Sequence, residues 1–178
     1  MKPALLVVSS VLFSSPFVSL PPAPLRHVPL RHAATTAPSL ATTNLTRLVW
    51  LAKADAAGNL QRTKFSMARE GKEVLVRADP ALLRDGLAKL MSSSARYMKG
   101  RNARMEVRLT AYAGKVTLEL SDTGPGMSVQ DLVAMYGDGN SGLAEVRRRI
   151  ERAGGVINIS SAEGVGTVYV IDLPRAGA

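Results

Sequence analysis

Val116-Thr117-Leu118-Glu119-Leu120-Ser121-Asp122-Thr123-Gly124-Pro125-Gly126 is the stretch on which the reading of the fold turns. Apolar and polar residues alternate from Val116 to Leu120, the period of a strand with one covered face. The strand then runs out into a carboxylate followed by two glycines. Glycine permits a positive φ and has no Cβ to obstruct a flat ligand, and a carboxylate accepts hydrogen bonds from an amino group. A pocket at a sheet edge is built this way, although a β-turn would use the same proline and glycines without function.

Upstream, Met105 to Tyr112 is a second strand-like run, and Ala113-Gly114 joins the two as a hairpin. Before it, Val74 to Arg77 alternates as a strand, and Asp79-Pro80 is an N-cap and first-turn pair that predicts a helix to about Tyr97. That helix has a core stripe of Leu83, Leu87, Leu90, Met91, Ser94 and Met98. Lys89, Ser93, Arg96 and Tyr97 gather on a compact polar face roughly 100° away, given ~3.6 residues per turn. Such a face suits a nucleotide's phosphates and base, and equally suits a solvent-facing edge.

Downstream, a short helix is expected near Val129 to Met135. Gly137-Asp138-Gly139-Asn140-Ser141-Gly142 then opens into a helix to Ala153, with Leu143, Val146, Ile150 and Ala153 on one side. Unpaired N–H groups and the helix dipole make such a start a phosphate seat, or else simply a flexible loop before a capped helix. Arg147, Arg148, Arg149 and Arg152 read as a solvated face. Val156 to Ser160 and Thr167 to Leu173 are the last strands. Several strands follow one another with no helix between them. An α/β two-layer sandwich is therefore expected, with a mixed, mostly antiparallel sheet and helices on one face.

The chain has 178 residues, 46% hydrophobic and 21% charged, which suits one compact core plus a tail and excludes a wholly disordered chain or a polytopic membrane protein. Without cysteine there is no disulfide, zinc knuckle or thiol nucleophile, and His27 and His32 alone do not make a histidine-rich metal site. The net charge of +9 suggests an anionic partner, yet all fourteen acids lie from Asp55 onward. Five excess charges belong to Lys2, Arg26, Arg31, Arg47 and Lys53, which leaves the remainder only mildly basic. With 4% aromatics there is little stacking platform, so nucleic acid is not expected as a partner.

Residues 1–43 read as an apolar leader followed by a Pro-, Thr- and Ala-rich linker. Lys2 and the run from Pro3 to Leu20 fit a secretory signal, a transit peptide, or an anchor whose trailing basic residues would hold the downstream chain in the cytoplasm. Within 44–66, Asn44 caps a helix through Leu45, Leu48, Trp50, Leu51 and Ala52 that ends near Gly58, and a short extended stretch with Leu60 and Phe65 follows. Residues 67–178 form the main domain.

Asp79-Pro80-Ala81-Leu82-Leu83 through Ala95-Arg96-Tyr97, Asp122 to Gly126, Asn140-Ser141-Gly142-Leu143, and Gly164-Val165-Gly166-Thr167 to Leu173-Pro174 come in an order that resembles the ATP-binding domain of sensor histidine kinases. Their wider superfamily includes gyrase, the Hsp90 chaperones and MutL, and its fold is the Bergerat type. The resemblance implies that Asp122 binds the adenine amino group, Gly124 and Gly126 shape the pocket, Thr167 supports the base and Tyr97 packs against it. Asn140, Gly142 and Leu143 would open the phosphate-facing helix, and Arg96 would contact phosphate.

The N-box asparagines fall on Lys89 and Ser93, so Lys89 is expected at the phosphates and Ser93 at any magnesium ion, for which a hydroxyl is a weaker ligand than an amide oxygen. The implied cofactors are ATP and Mg2+. The implied partners are a histidine-containing dimerisation domain or a response regulator, with a second copy of the chain as a further candidate. Residues 44–66 resemble the exit from a dimerisation helix, and 66–73 is too short for the catalytic domain's usual first helix. Neither His27 nor His32 lies in the helical context of a phosphoacceptor. An active kinase module, a non-catalytic nucleotide sensor and an anti-sigma-factor-like serine kinase share these features.

Overall fold

A computed structural model describes residues 39–69, 73–98, 102–137, 139 and 141–177. The leader and most of the linker expected over 1–43 lie outside the described residues, as do His27 and His32. The elements in chain order are β1 (Ala41–Asn44), α1 (Leu45–Asp55), α2 (Ala57–Leu60), β2 (Lys64–Arg69), β3 (Leu75–Ala78), α3 (Pro80–Tyr97), β4 (Arg104–Ala111), β5 (Lys115–Asp122), α4 (Val129–Gly137), α5 (Gly142–Arg152), β6 (Val156–Ala162) and β7 (Gly166–Pro174).

Five strands form one sheet in the order β2-β4-β5-β7-β6. β2 runs parallel to β4, and every other neighbouring pair is antiparallel. The alternation of β5 decides what is covered, because Val116, Leu118 and Leu120 are fully buried while Thr117, Glu119 and Ser121 stay partly open on the other face. Asp122 is the next residue on the buried row. The strand period thus carries a carboxylate into the apolar layer at the sheet's end.

Helices close the buried face. Asp79 caps α3, its Oδ1 accepting the amides of Ala81 and Leu82 at 3.0 Å each, and Pro80 occupies the first turn without losing a hydrogen bond. Leu83, Leu87, Leu90 and Met91 are buried beneath it, each such side chain worth about 1.5–3 kcal/mol. Ser141 caps α5 by accepting the Ala144 amide at 3.0 Å, and α5 packs its Val146 and Ile150 side against α3.

One boundary differs from the sequence expectation. The linker does not run to Thr43, since Ala41–Asn44 pair antiparallel with β3 as a two-stranded ribbon; two β-branched threonines suit that pairing. Residues 44–66 carry the expected helix, capped by Asn44, and this stretch packs together with residues 67–178. Leu45, Leu48, Val49 and Ala52 of α1 are buried against α3, and β2 is an edge strand of the main sheet. The apolar spacing of α1 needs a surface to cover, and the chain folds back to provide one.

Candidate functional site

The site is a cleft of about 700 Å³ between α3, the chain after β5, α5 and the turn joining β6 to β7, within the size range of small-molecule sites. Its floor is set by register: Asp122 of β5 pairs with Thr167 of β7, and both are on the buried row. The Asp122 Oδ1 accepts the Gly124 amide at 2.9 Å, and its second oxygen has no partner among the described residues. A carboxylate that opens onto a cleft in this way can accept from a ligand that brings an N–H.

The loop after Asp122 is held from the other side. Ser161 on β6 accepts the Met127 amide at 2.8 Å, and its hydroxyl shares a 2.9 Å hydrogen bond with Thr167. The Gly164 amide donates to the Pro125 carbonyl at 2.7 Å. At Gly126 the backbone has φ +68°, and a Cβ there would run into the Ala162 carbonyl oxygen; at Gly166, φ +135°, it would run into the Asp122 carbonyl oxygen. Two chain segments lie so close here that only glycine fits.

Asp122, Gly124, Gly126, Gly142, Leu143 and Thr167 all line the cleft, as do Ser93, Arg96 and Tyr97. Tyr97 stands at the rim with 61% of its surface exposed. Asn140 lies outside the described residues. Lys89 is placed elsewhere than expected: its ammonium donates to Glu145 of α5 at 2.8 Å and does not line the cleft. Glu145 also accepts from Arg149 at 2.6 Å, and Arg149 pairs with Asp85. Lys89, then Arg149, hold the Glu145 carboxyl down to about 2. This ion-paired row ties α3 to α5, because a lysine and a glutamate on facing helices neutralise each other more readily than either stays unpaired.

Sequence reasoning missed Ser161 as the tie between loop and sheet; Ser94 lies on the buried stripe as expected and borders the cleft as well. It also passed over Tyr169, whose place two residues after Thr167 on a period-2 strand was enough to put it on the floor. Magnesium has few protein donors here. Ser93 offers one hydroxyl, and among the described residues no three His, Asp or Glu side chains cluster. Asp131 and Glu163 also line the cleft, so a carboxylate is available for a magnesium ion that keeps several waters and rests mainly on the phosphates.

The family model for "Histidine kinase-, DNA gyrase B-, and HSP90-like ATPase" matches residues 78–177, from the end of β3 to the end of β7, more than half the chain. The chain belongs to this ATPase family. Its fold is that of histidine kinase catalytic domains, an α/β two-layer arrangement of the Bergerat type.

A mycobacterial sensor histidine kinase, MprB, superposes with a TM-score of 0.65 at 19% identity, covering 76% of this chain and 98% of that one. The catalytic domain of histidine kinase ThkA gives 0.66 at 18%, over 76% and 95%. Full-length ShkA, whose structure is a complex with AMPPNP, gives 0.66 at 21% over 82% of this chain and 33% of that one. No curated protein matches the sequence. The ATPase family's shared part includes all four passages that line the cleft, whereas α1 and β2 lie upstream of the matched residues.

Proposed function

We propose that the chain binds ATP in this cleft and serves as the ATP-binding catalytic module of a two-component sensor histidine kinase. The γ-phosphoryl would pass to a histidine on another domain or chain. The observation that carries the reading is the Asp122 carboxylate on the floor of the cleft, beside Thr167 and under a glycine loop pinned at Gly126 and Gly166. Asp122 accepts the exocyclic amine of adenine, and Leu90, Leu143 and Val146 give the base apolar walls. The N-terminus of α5 and Arg96 face the phosphates, whose charge they offset. Catalysis in such a module is positioning and charge neutralisation rather than covalent chemistry.

A histidine-containing dimerisation domain, a response regulator and a second copy of the chain are the partners this role calls for. ATP as substrate puts the unit on the cytoplasmic side, with residues 1–43 as the candidate tether. Among the described residues no helix is long and apolar enough to cross a membrane.

A second reading, a nucleotide sensor without turnover, is favoured by Ser93 in place of an amide and by the engagement of Lys89 with Glu145. Calorimetric titration of the full chain with ATP, with and without magnesium, tests the site. Asp122→Asn should lower affinity by roughly ten- to hundredfold, the worth of a charged hydrogen bond. Unchanged binding in a folded variant removes the pocket. Incubation with labelled ATP and a histidine-containing dimerisation domain separates the two readings, since a sensor binds ATP and labels nothing.

A further inference from the structure

The outer face of α1 is apolar where a helix packed on a domain surface ordinarily turns polar. Leu45, Leu48, Val49 and Ala52 are buried, which leaves Arg47, Trp50, Leu51 and Ala54, three and four residues apart, side by side on the opposite face. Trp50 is 46% exposed and Leu51 38%. Phe65 of β2 extends the patch, its ring centre 5.5 Å from that of Trp50. The Lys53 ammonium lies 4.8 Å from the Trp50 ring centre and 4.9 Å from that of Phe65, a cation held over two aromatic faces.

The charge around this patch has one sign. Among the described residues neither Arg47 nor Lys53 pairs with a carboxylate. Asp55, the acid at the end of the helix, is taken by Arg84 in two hydrogen bonds at 2.6 Å each, and no acid precedes it in the chain. A complementary occupant is therefore anionic at its surface and apolar just beneath, the profile of a bilayer that carries acidic lipids. A tryptophan ring, apolar with one N–H, settles at that boundary. The chain also brings the helix to such a surface. Twenty residues, 21–40, separate the apolar run 3–20 from β1, and a flexible chain of that length averages about 25 Å end to end. An anchor in the run would hold α1 over the bilayer at roughly millimolar effective concentration.

We infer that the Arg47, Trp50, Leu51 and Ala54 face of α1 is a membrane-docking surface. Trp50 and Leu51 enter the headgroup boundary of an anionic bilayer, and Arg47 and Lys53 meet the lipid phosphates and carboxylates. No α1 residue lines the cleft, so docking is a property separate from the nucleotide reading.

Trp50 is the chain's sole tryptophan, so its fluorescence reports on this face whatever the leader does. The full chain is titrated with phosphatidylcholine vesicles and with vesicles of mixed phosphatidylcholine and phosphatidylserine. The mixed vesicles should shift Trp50 emission to shorter wavelength and open it to quenching by brominated acyl chains, and raised salt should weaken both effects. Arg47→Gln should lower the ratio of quenched to unquenched Trp50 about fivefold, the worth of one basic residue at an anionic surface. Leu51→Ser should lower it at least as much. Both side chains are exposed, so both variants keep the fold. Emission that responds equally to neutral and mixed vesicles overturns the inference. Emission that stays unchanged while the chain floats with the vesicles overturns it too, and leaves the leader as the membrane contact. Emission that ignores vesicles and shifts instead with protein concentration, or on adding a histidine-containing dimerisation domain, makes the face a protein interface and likewise overturns it.

Discussion

Gly126→Ala and Gly164→Ala place the same methyl group at two left-handed positions that differ in their surroundings. The backbone has φ +68° at Gly126 and +73° at Gly164, so each alanine carries a conformational cost of about 1–2 kcal/mol. Around Gly164 a Cβ meets nothing within 4 Å, and the cost stops there. At Gly126 the Cβ meets the Ala162 carbonyl oxygen, a backbone atom that no rotamer change can move aside. The loop has to shift, and the shift pulls on the hydrogen bonds from the Gly164 N–H to the Pro125 carbonyl at 2.7 Å and from the Met127 N–H to the Ser161 hydroxyl at 2.8 Å. Two such bonds at about 1 kcal/mol each bring the expected loss to about 3–4 kcal/mol for Gly126→Ala, against about 1–2 for Gly164→Ala. Urea denaturation of the two variants and the parent measures the difference, and ATP titration should show affinity lost in the first and kept in the second. Equal destabilisation by the two substitutions would refute the claim that close backbone approach, rather than φ alone, requires glycine in this loop.

The Glu145 carboxyl, held at about 2 by Lys89 and Arg149, makes the ion-paired row a pH-dependent tie. A depressed carboxyl contributes its stability fully above the ordinary value of 4.5 and loses it as pH falls towards 2, so Glu145→Gln should flatten the acid limb of a thermal-stability profile in that window. Coincident profiles for parent and variant would remove the tie. Because Lys89 is engaged there, Lys89→Ala should leave ATP affinity unchanged, and a loss of about tenfold or more would place its ammonium at the phosphates after all. Ser141→Ala removes the cap of α5 and should cost about 1 kcal/mol in chemical denaturation, with the helix start loosened where it faces the cleft.

Much of the fold was legible in local pattern. The alternation of β5, the Asp79-Pro80 start of α3 and the Gly154-Gly155 stop after α5 are signals a few residues long, and each element lies where its signal places it. The cleft was legible in part for the same reason, since Asp122, Gly124, Gly126 and Thr167 sit at strand ends whose positions the alternation sets. The inward row of β7 was equally legible, and Tyr169 was there to be found on it.

By itself the sequence determined the elements and the chemistry carried at their ends, because capping, glycine conformation and strand period depend on neighbours along the chain. Which elements meet was decided only by the tertiary structure. No local signal could show that α1, a short amphipathic helix next to a linker, covers α3, or that β2 pairs parallel with β4, a strand some forty residues further on. Nor could it show that Lys89 meets Glu145, because 56 residues separate them and the pairing needs α3 and α5 to cross first. An isolated lysine among hydroxyls reads as a phosphate ligand. Set against a carboxylate it becomes a strut, since the nearer opposite charge takes up its donors before any ligand arrives.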